Sequence, residues 1–329
     1  MRARPTPTAP DPALVALFAR DLDALAAPDA TLGIAVSGGP DSLALLLLAV
    51  AARPGQIEAA TVDHRLRAES AAEAGDVATL CEDLGVPHAT LAAQWDPAPE
   101  SAVQERARAE RYRLLAQWAE ARGLSALATA HHADDQAETL LMRLNRGSGV
   151  RGLAAMRPRA RVPSSELPLL RPLLEWRRER LVQVCADAAV SPAHDPSNAD
   201  SHYERVRVRQ ALAAADWLDV PAIARSAANL ADTDDALEWA TGRVWDDLVK
   251  PGGGGLVFDP TGLPDEIQRR LAARAIAATG REGEPDNLRG REIDQLMVTL
   301  ASGGVATLRG VRCSGGAAWQ FSPAPPRRG

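Results

Sequence analysis

The sequence predicts an α/β fold, a parallel sheet with helices on both faces, followed by a smaller and mostly helical domain. Three observations predict it. Short apolar segments alternate with helical ones from Thr31 to about residue 145, which implies βα units and a parallel sheet. Two polar motifs directly follow strand-like segments, where the ligands of such sheets bind. Beyond about residue 212 the strand signals give way to long helical patterns. The expected division is therefore 1–212 for the sheet domain and 213–329 for the second.

The elements follow in order. Leu14, Leu17, Phe18, Leu22 and Leu25 recur at helical spacing, so 12–27 reads as an amphipathic helix. Thr31–Val36 is a short buried strand, and Leu43–Ala52 follows as a helix too apolar for the surface. Residues 57–62 and 87–92 read as strands, and 70–84 and 101–122 as helices. A strand over 125–129 runs into a helix opening at His132–Asp134. Segment 217–249 gives one long helix or two, broken by Pro251 and Gly252–Gly255. Helices over 263–278 and 288–301 come next, then a hairpin over 305–321 and a disordered tail from Pro323.

Composition excludes several classes. In 329 residues there are 37 basic and 43 acidic side chains, a formal charge of −6, with 46% apolar residues. This is a globular composition, not a disordered one. The longest apolar run, Leu43–Ala52, is too short to span a bilayer. Met1–Asp11 lacks the apolar core of a signal peptide, which points to a cytoplasmic protein. Lys250 is the sole lysine, and it precedes glycines rather than following a phosphate loop. A Walker-type loop is thereby excluded. Cys81, Cys185 and Cys313 are isolated, without metal or redox spacing.

Ser37-Gly38-Gly39-Pro40-Asp41-Ser42 joins the first strand to its helix. Glycines let the backbone turn tightly, serines add donors, and the helix N-terminus attracts anions. Asp41 is out of place beside a bare phosphate, but it suits a Mg²⁺ ion shared with phosphate oxygens. The loop looks like the pyrophosphatase loop of adenylating enzymes, which cleave ATP between its α- and β-phosphates. The second motif runs from His131 to Thr139 and places Asp135 and Glu138 on one helix face. Two like charges on one pocket suit a cation, either a metal or a substrate ammonium group. Zinc is disfavoured by the spacing.

The run from His131 to Leu153, His-His-Ala-Asp-Asp-Gln-Ala-Glu-Thr and onward, closely resembles tRNA(Ile)-lysidine synthetase, a PP-loop ATP pyrophosphatase. Val62-Asp63-His64, Glu110-Arg111-Tyr112, Arg171-Pro172-Leu173-Leu174 and Asp195-Pro196-Ser197-Asn198 match in the same order. The resemblance covers roughly 31–210. It implies a PP-loop (adenine nucleotide α-hydrolase-like) domain and a ligase that adenylates C2 of the wobble cytidine in a CAU anticodon. The ε-amine of free L-lysine then displaces AMP. It implies ATP and Mg²⁺, with Ser37, Gly38, Gly39, Pro40, Asp41 and Ser42 on the phosphates. Val62 and Asp63 would border the adenine. Asp41, Asp135 and Glu138 would bind metal or the lysine ammonium, with His131 nearby. Expected partners are tRNA(Ile) and lysine, with no membrane and a homodimer as one possible assembly.

Arg111 has independent support. Ala107, Arg111, Leu114, Leu115 and Trp118 form one helical stripe, so an arginine lies on the face meant for the core. Such a group needs a partner, either an internal salt bridge or charge developing during adenylation. From Arg143 to Arg209 thirteen arginines stand against seven acids, whereas 216–249 has eight acids against two arginines. Arg143, Arg146, Arg151, Arg205, Arg207 and Arg209 are therefore the expected RNA-binding set. Val206 stands where the family usually has a polar residue. Acids at 232–238 are expected to face solvent. Two rival readings remain, another PP-loop tRNA-modifying enzyme such as a thiolase, and a non-catalytic ATP-binding module. Scattered cysteines disfavour the first, and the acids at 41, 135 and 138 disfavour the second.

Overall fold

The computed structural model describes residues 7–65, 70–95, 103–193, 202–280 and 290–325. The matching motif at Asp195–Asn198 and the tail 326–329 lie outside them. The chain divides into two compact units, Met1–Asn229 and Leu230–Gly329. That division falls inside a long helix, beyond the change of pattern near residue 212.

The first unit is built on a six-stranded sheet. Its strands are β1 (Leu32–Ala35), β2 (Ile57–Asp63), β3 (His88–Ala92), β4 (Ala126–Ala128), β5 (Arg159–Arg161) and β6 (Pro168–Leu170). Their order is β3-β2-β1-β4-β6-β5, parallel except for β5 against β6. The four strands expected from the alternation are present. The pair β5 and β6 carries no sequence signal, because three residues are too few to show a period and one of the two strands reads Arg-Ala-Arg.

The order places the site. From β1 the chain moves outward through β2 and β3, then returns to the other side of β1 with β4. A crevice therefore opens between the carboxyl ends of β1 and β4, the switch point where such sheets bind ligands. Helix α1 (Pro12–Asp23) starts on Pro12, and the Asp11 carboxylate accepts the Ala13 N–H at 2.7 Å. Helix α2 (Pro40–Ala52) has every residue from Ser42 to Ala49 buried. Each leucine so enclosed contributes about 1.5–3 kcal/mol, enough to make α2 the fixed element of this unit. With α1 and α7 (Arg178–Asp187) it forms the core on one face of the sheet. Helix α4 (Val103–Ala121) packs Tyr112, Leu115 and Trp118 on the other, following α3 (Ser70–Asp83). Helices α5 (Ala133–Asn145), α6 (Val150–Leu153) and α8 (Glu204–Ala214) complete the unit before α9 (Val220–Leu248) begins.

The second unit holds the end of α9, then α10 (Asp265–Thr279) and α11 (Gly290–Ala301). Its sheet is larger than the expected hairpin. Strands β7 (Lys250–Gly252), β8 (Gly255–Phe258), β9 (Val305–Leu308), β10 (Val311–Ser314) and β11 (Trp319–Pro323) pair antiparallel in the order β7-β8-β11-β10-β9. The glycines read as a break instead make the turn between β7 and β8, with Gly253 and Gly254 at positive φ. Pro323 pairs with Val311, so the strand outruns the expected hairpin and takes the first residue of the expected tail. The acids of 232–238 do not all face solvent. Asp234 is buried and, with Glu238 and Glu266, holds the buried Arg270 at 2.6, 2.6 and 2.8 Å. Lys250 is exposed at the start of β7, its ammonium 3.4 Å from the Asp246 carbonyl.

Gly33 shows how tightly β1 is enclosed. A Cβ there would stand 2.8 Å from Trp118 Cζ3 and 2.9 Å from Leu124 Cδ1. Gly33→Ala is expected to cost about 1–3 kcal/mol through overpacking. Urea unfolding checks this. The midpoint should fall with an unchanged slope, and an unshifted midpoint would mean the indole and leucine yield freely.

Candidate active site

The crevice is a cleft of about 410 Å³ whose walls include Ser37, Gly39, Asp41, Val62, Arg111, His131, Arg178 and Arg209. One wall is the turn from β1 into α2. Gly38 takes φ +83°, a backbone that side chains resist, and its carbonyl accepts from Ala193 N–H at 2.9 Å. Gly39 caps α2 without a side-chain bond, and Pro40 at the first position has no N–H to offer. The Ser42 hydroxyl accepts the Ser37 N–H at 3.1 Å and donates to the Gly39 carbonyl at 3.0 Å. With its proton so used, it accepts from the Ser37 hydroxyl at 3.1 Å. These bonds fix the turn at a helix N-terminus, an arrangement suited to an anion.

The start of α5 meets this turn through Asp41, although only His131 of the His131–Thr139 motif lines the cleft. His132, almost wholly buried, stands among three carboxylates. Its Nε2 lies 3.6 Å from Asp41 and 3.5 Å from Asp135, and its Nδ1 lies 3.6 Å from Asp134. These are ion-pair contacts longer than hydrogen bonds. Burial alone would lower the imidazole pKa, but Asp134, Asp41 and Asp135 outweigh it and raise the value to about 9. His132 is thus an imidazolium at neutral pH. Burial acts against ionisation of Asp134 too, yet His132, the Arg178 N–H at 2.9 Å and Arg177 hold its carboxyl well below the usual range. His131 is the opposite case. Burial, then the positive charges of Arg171, Arg108, Arg111 and Arg205, push it down to about 2, so it stays neutral. Its Nδ1 is 3.0 Å from the Thr129 hydroxyl.

One oxygen of Asp41, Oδ1, is buried without a hydrogen-bond partner and lies 3.9 Å from Arg178 Nε. An unpaired carboxylate oxygen beside a phosphate cradle is the donor a Mg²⁺ ion requires. Among the described residues no three His, Cys, Asp or Glu side chains form a cage of their own. Asp135 and Glu138 are brought together, but with guanidinium partners. Arg205 reaches Glu138 at 2.7 Å and Asp135 at 3.1 Å, and Arg209 reaches Glu138 at 2.6 Å. Both oxygens of Glu138, 1% exposed, are thereby occupied. Asp135 also accepts the His132 N–H at 3.1 Å.

Residues 15–215 match the family model of a PP-loop domain, that of ATP-binding proteins. The tRNA(Ile)-lysidine synthase of Novosphingobium aromaticivorans is 50% identical over 303 residues, 92% of this chain and 91% of that one. Those of Zymomonas mobilis and Methylobacterium nodulans are 44% and 43% identical over 90% and 94% of this chain. The chain belongs to the tRNA(Ile)-lysidine synthase family. A U34-tRNA thiolase from Methanococcus maripaludis shares the fold at 14% identity, with TM-score 0.54 over 66% of this chain and 78% of that one. No helix among the described residues is long and apolar enough to cross a membrane.

For a chain of the lysidine synthase family, the arginines sort unexpectedly. Arg143 donates to the Gly152 and Ala155 carbonyls and so ties α5 to α6. Arg146 pairs with Glu204, and Arg205 and Arg209 turn inward onto the acids. Arg207 and Arg151 are exposed, Arg207 donating to the His202 carbonyl at 2.9 Å. Val62 lines the cleft. Asp63 accepts the N–H of Arg65, a residue at φ +52°. Sequence reasoning gave His131 a place in the site, named His132, Asp134, Tyr112 and Arg171 only within motifs and without a role, and did not single out Arg108, Arg177 or Arg178. The doubled His131-His132 and Arg177-Arg178 were the available signals.

The two histidines give a pH prediction. The His132 pKa is raised above its unfolded value, so its contribution is complete below about pH 6.5 and is lost as pH rises towards 9. Thermal unfolding between pH 6 and 9.5 should lose on the order of a few kcal/mol. In His132→Asn that loss should be largely absent. A wild-type melt flat across the interval would show that His132 is not charged.

Proposed function

We propose that the chain adenylates C2 of the wobble cytidine of tRNA(Ile) with a CAU anticodon and joins free lysine to it, in the cytoplasm. The observation that carries this reading is the contact, through His132, of a PP-loop turn that lines the crevice with an acidic helix start. It is supported by family membership along nearly the whole chain.

The chemistry then divides by residue. Cytidine O2 attacks the α-phosphorus of ATP, and pyrophosphate leaves. The turn 37–42 holds the β- and γ-phosphates through its N–H groups and the helix end. Asp41, with its open oxygen, would hold Mg²⁺, which neutralises phosphate charge when bound. Arg111, on the cleft wall, steadies charge developing at the α-phosphate. In the second step the unprotonated ε-amine of lysine attacks C2, its proton is lost, and AMP departs with the former O2. Asp135 offers the ammonium its counter-charge. Glu138 acts by holding Arg205 and Arg209, and His132 keeps Asp41 and Asp135 apart and oriented. Val62 and the backbone of Asp63 border the adenine. The sheet domain carries the chemistry, and the second unit is read as a surface for the body of the tRNA.

Incubation with ATP, labelled lysine and this tRNA tests the reading. Lysine should enter RNA with AMP and pyrophosphate as products, and ATP cleavage indifferent to both lysine and RNA would overturn it. Arg111→Ala should lower turnover by about 10²–10³-fold with little change in lysine KM. Normal turnover in the folded variant would remove Arg111 from the chemistry.

A further inference from the structure

Beside the cleft stands a group of cations of which these steps use only Arg111. Arg108 and Arg111 come from α4, and Arg171 directly follows β6. None of the three has a carboxylate partner among the described residues. Arg171 is 8% exposed and donates to the Arg157 carbonyl at 2.7 Å, leaving its Nε buried without an acceptor. Tyr112 is 1% exposed, and its hydroxyl is buried with no hydrogen-bond partner. That hydroxyl lies close to both Arg111 and Arg171. The guanidinium carbons of Arg108 and Arg111 stand 5.1 and 5.3 Å from the Tyr112 ring centroid.

Buried donors ordinarily meet an acceptor, and buried guanidinium groups ordinarily meet a counter-charge. Here the Tyr112 hydroxyl and Arg171 Nε lack an acceptor, and the three cations beside them meet no carboxylate among the described residues, which describes a site for an anion. The triphosphate has its own cradle at the α2 N-terminus. Arg111 lines that cleft, but Arg108, Tyr112 and Arg171 do not. The cluster also runs inward from the surface: Arg108 is exposed, Arg111 half-buried and Arg171 buried. An anion carried on a chain that stays in solvent fits this gradient. Guanidinium forks suit phosphate oxygens, and the tyrosine adds a donor from below.

We infer that Arg108, Arg111, Arg171 and the Tyr112 hydroxyl form a subsite for an RNA phosphodiester adjoining the nucleotide being modified. The inference rests on the RNA-modifying reading above. A base must leave its stack to be modified, and a backbone phosphate drawn into this subsite holds the nucleotide out while its base enters the cleft.

The test uses the full chain, a CAU anticodon stem-loop of tRNA(Ile), and binding measured by fluorescence anisotropy over a salt series. Pyrophosphate release gives the ATP KM. Arg108 is exposed and Tyr112→Phe removes a single oxygen, so Arg108→Ala and Tyr112→Phe keep the fold. Each should weaken stem-loop binding by about five- to tenfold with ATP KM unchanged, as a lost charge-assisted hydrogen bond implies. Arg108→Ala should also reduce the log–log salt slope by about 0.7. Wild-type affinity and slope in both variants would overturn the subsite. A raised ATP KM with unchanged RNA affinity would overturn it too, by giving the cluster to an ATP phosphate. Should the wild-type chain itself not bind the stem-loop, the RNA-modifying reading fails along with it.

Discussion

The buried imidazolium of His132 is the contact on which the site depends. It meets Asp41 from the β1–α2 turn, Asp134 and Asp135 from the start of α5, and, through Asp134, the backbone opening α7. Three elements distant in sequence are fixed by one charged ring. Three carboxylates this close would repel one another, and a buried cation between them offsets that repulsion. The arrangement is costly in desolvation, so its worth lies in geometry more than in stability. It keeps Asp41 at the turn and ties the start of α5 to it.

Topology supplies the other half. Because β1 lies between β2 and β4, the turns that follow β1 and β4 must face one crevice. That part was legible in the sequence. Short apolar strands, an over-apolar second helix and polar residues at strand ends each carry a local signal, and all three agreed. The functional motifs were legible for the same reason. Ser37–Ser42 and His131–Thr139 are continuous stretches whose composition conflicts with a simple core element.

What was not legible is pairing across long separations. The arginine excess of 143–209 read as an outward RNA surface, yet Arg205 and Arg209 turn onto Glu138, about seventy positions upstream. Charge counts cannot tell an arginine facing water from one facing a buried carboxylate. The same holds for Asp234, taken as solvent-facing and found on Arg270. Adjacent histidines were equally opaque. His131 and His132 differ in state because one meets guanidinium groups and the other carboxylates. Strands β5 and β6 were too short for periodicity, and with them went the placement of Arg171.

One feature of the second unit reaches beyond its fold. Lys250, exposed at the head of β7, is the sole lysine side chain of the sequence. Cells regulate many enzymes by acetylating or methylating lysines, which erases or masks positive charge. In this chain such chemistry has a single side-chain address, and it lies outside the unit that holds the crevice. The cleft walls carry Arg111, Arg178 and Arg209 and no lysine, so that chemistry has nothing to act on there. Their potential is fixed by the gene and closed to acyl-transfer control.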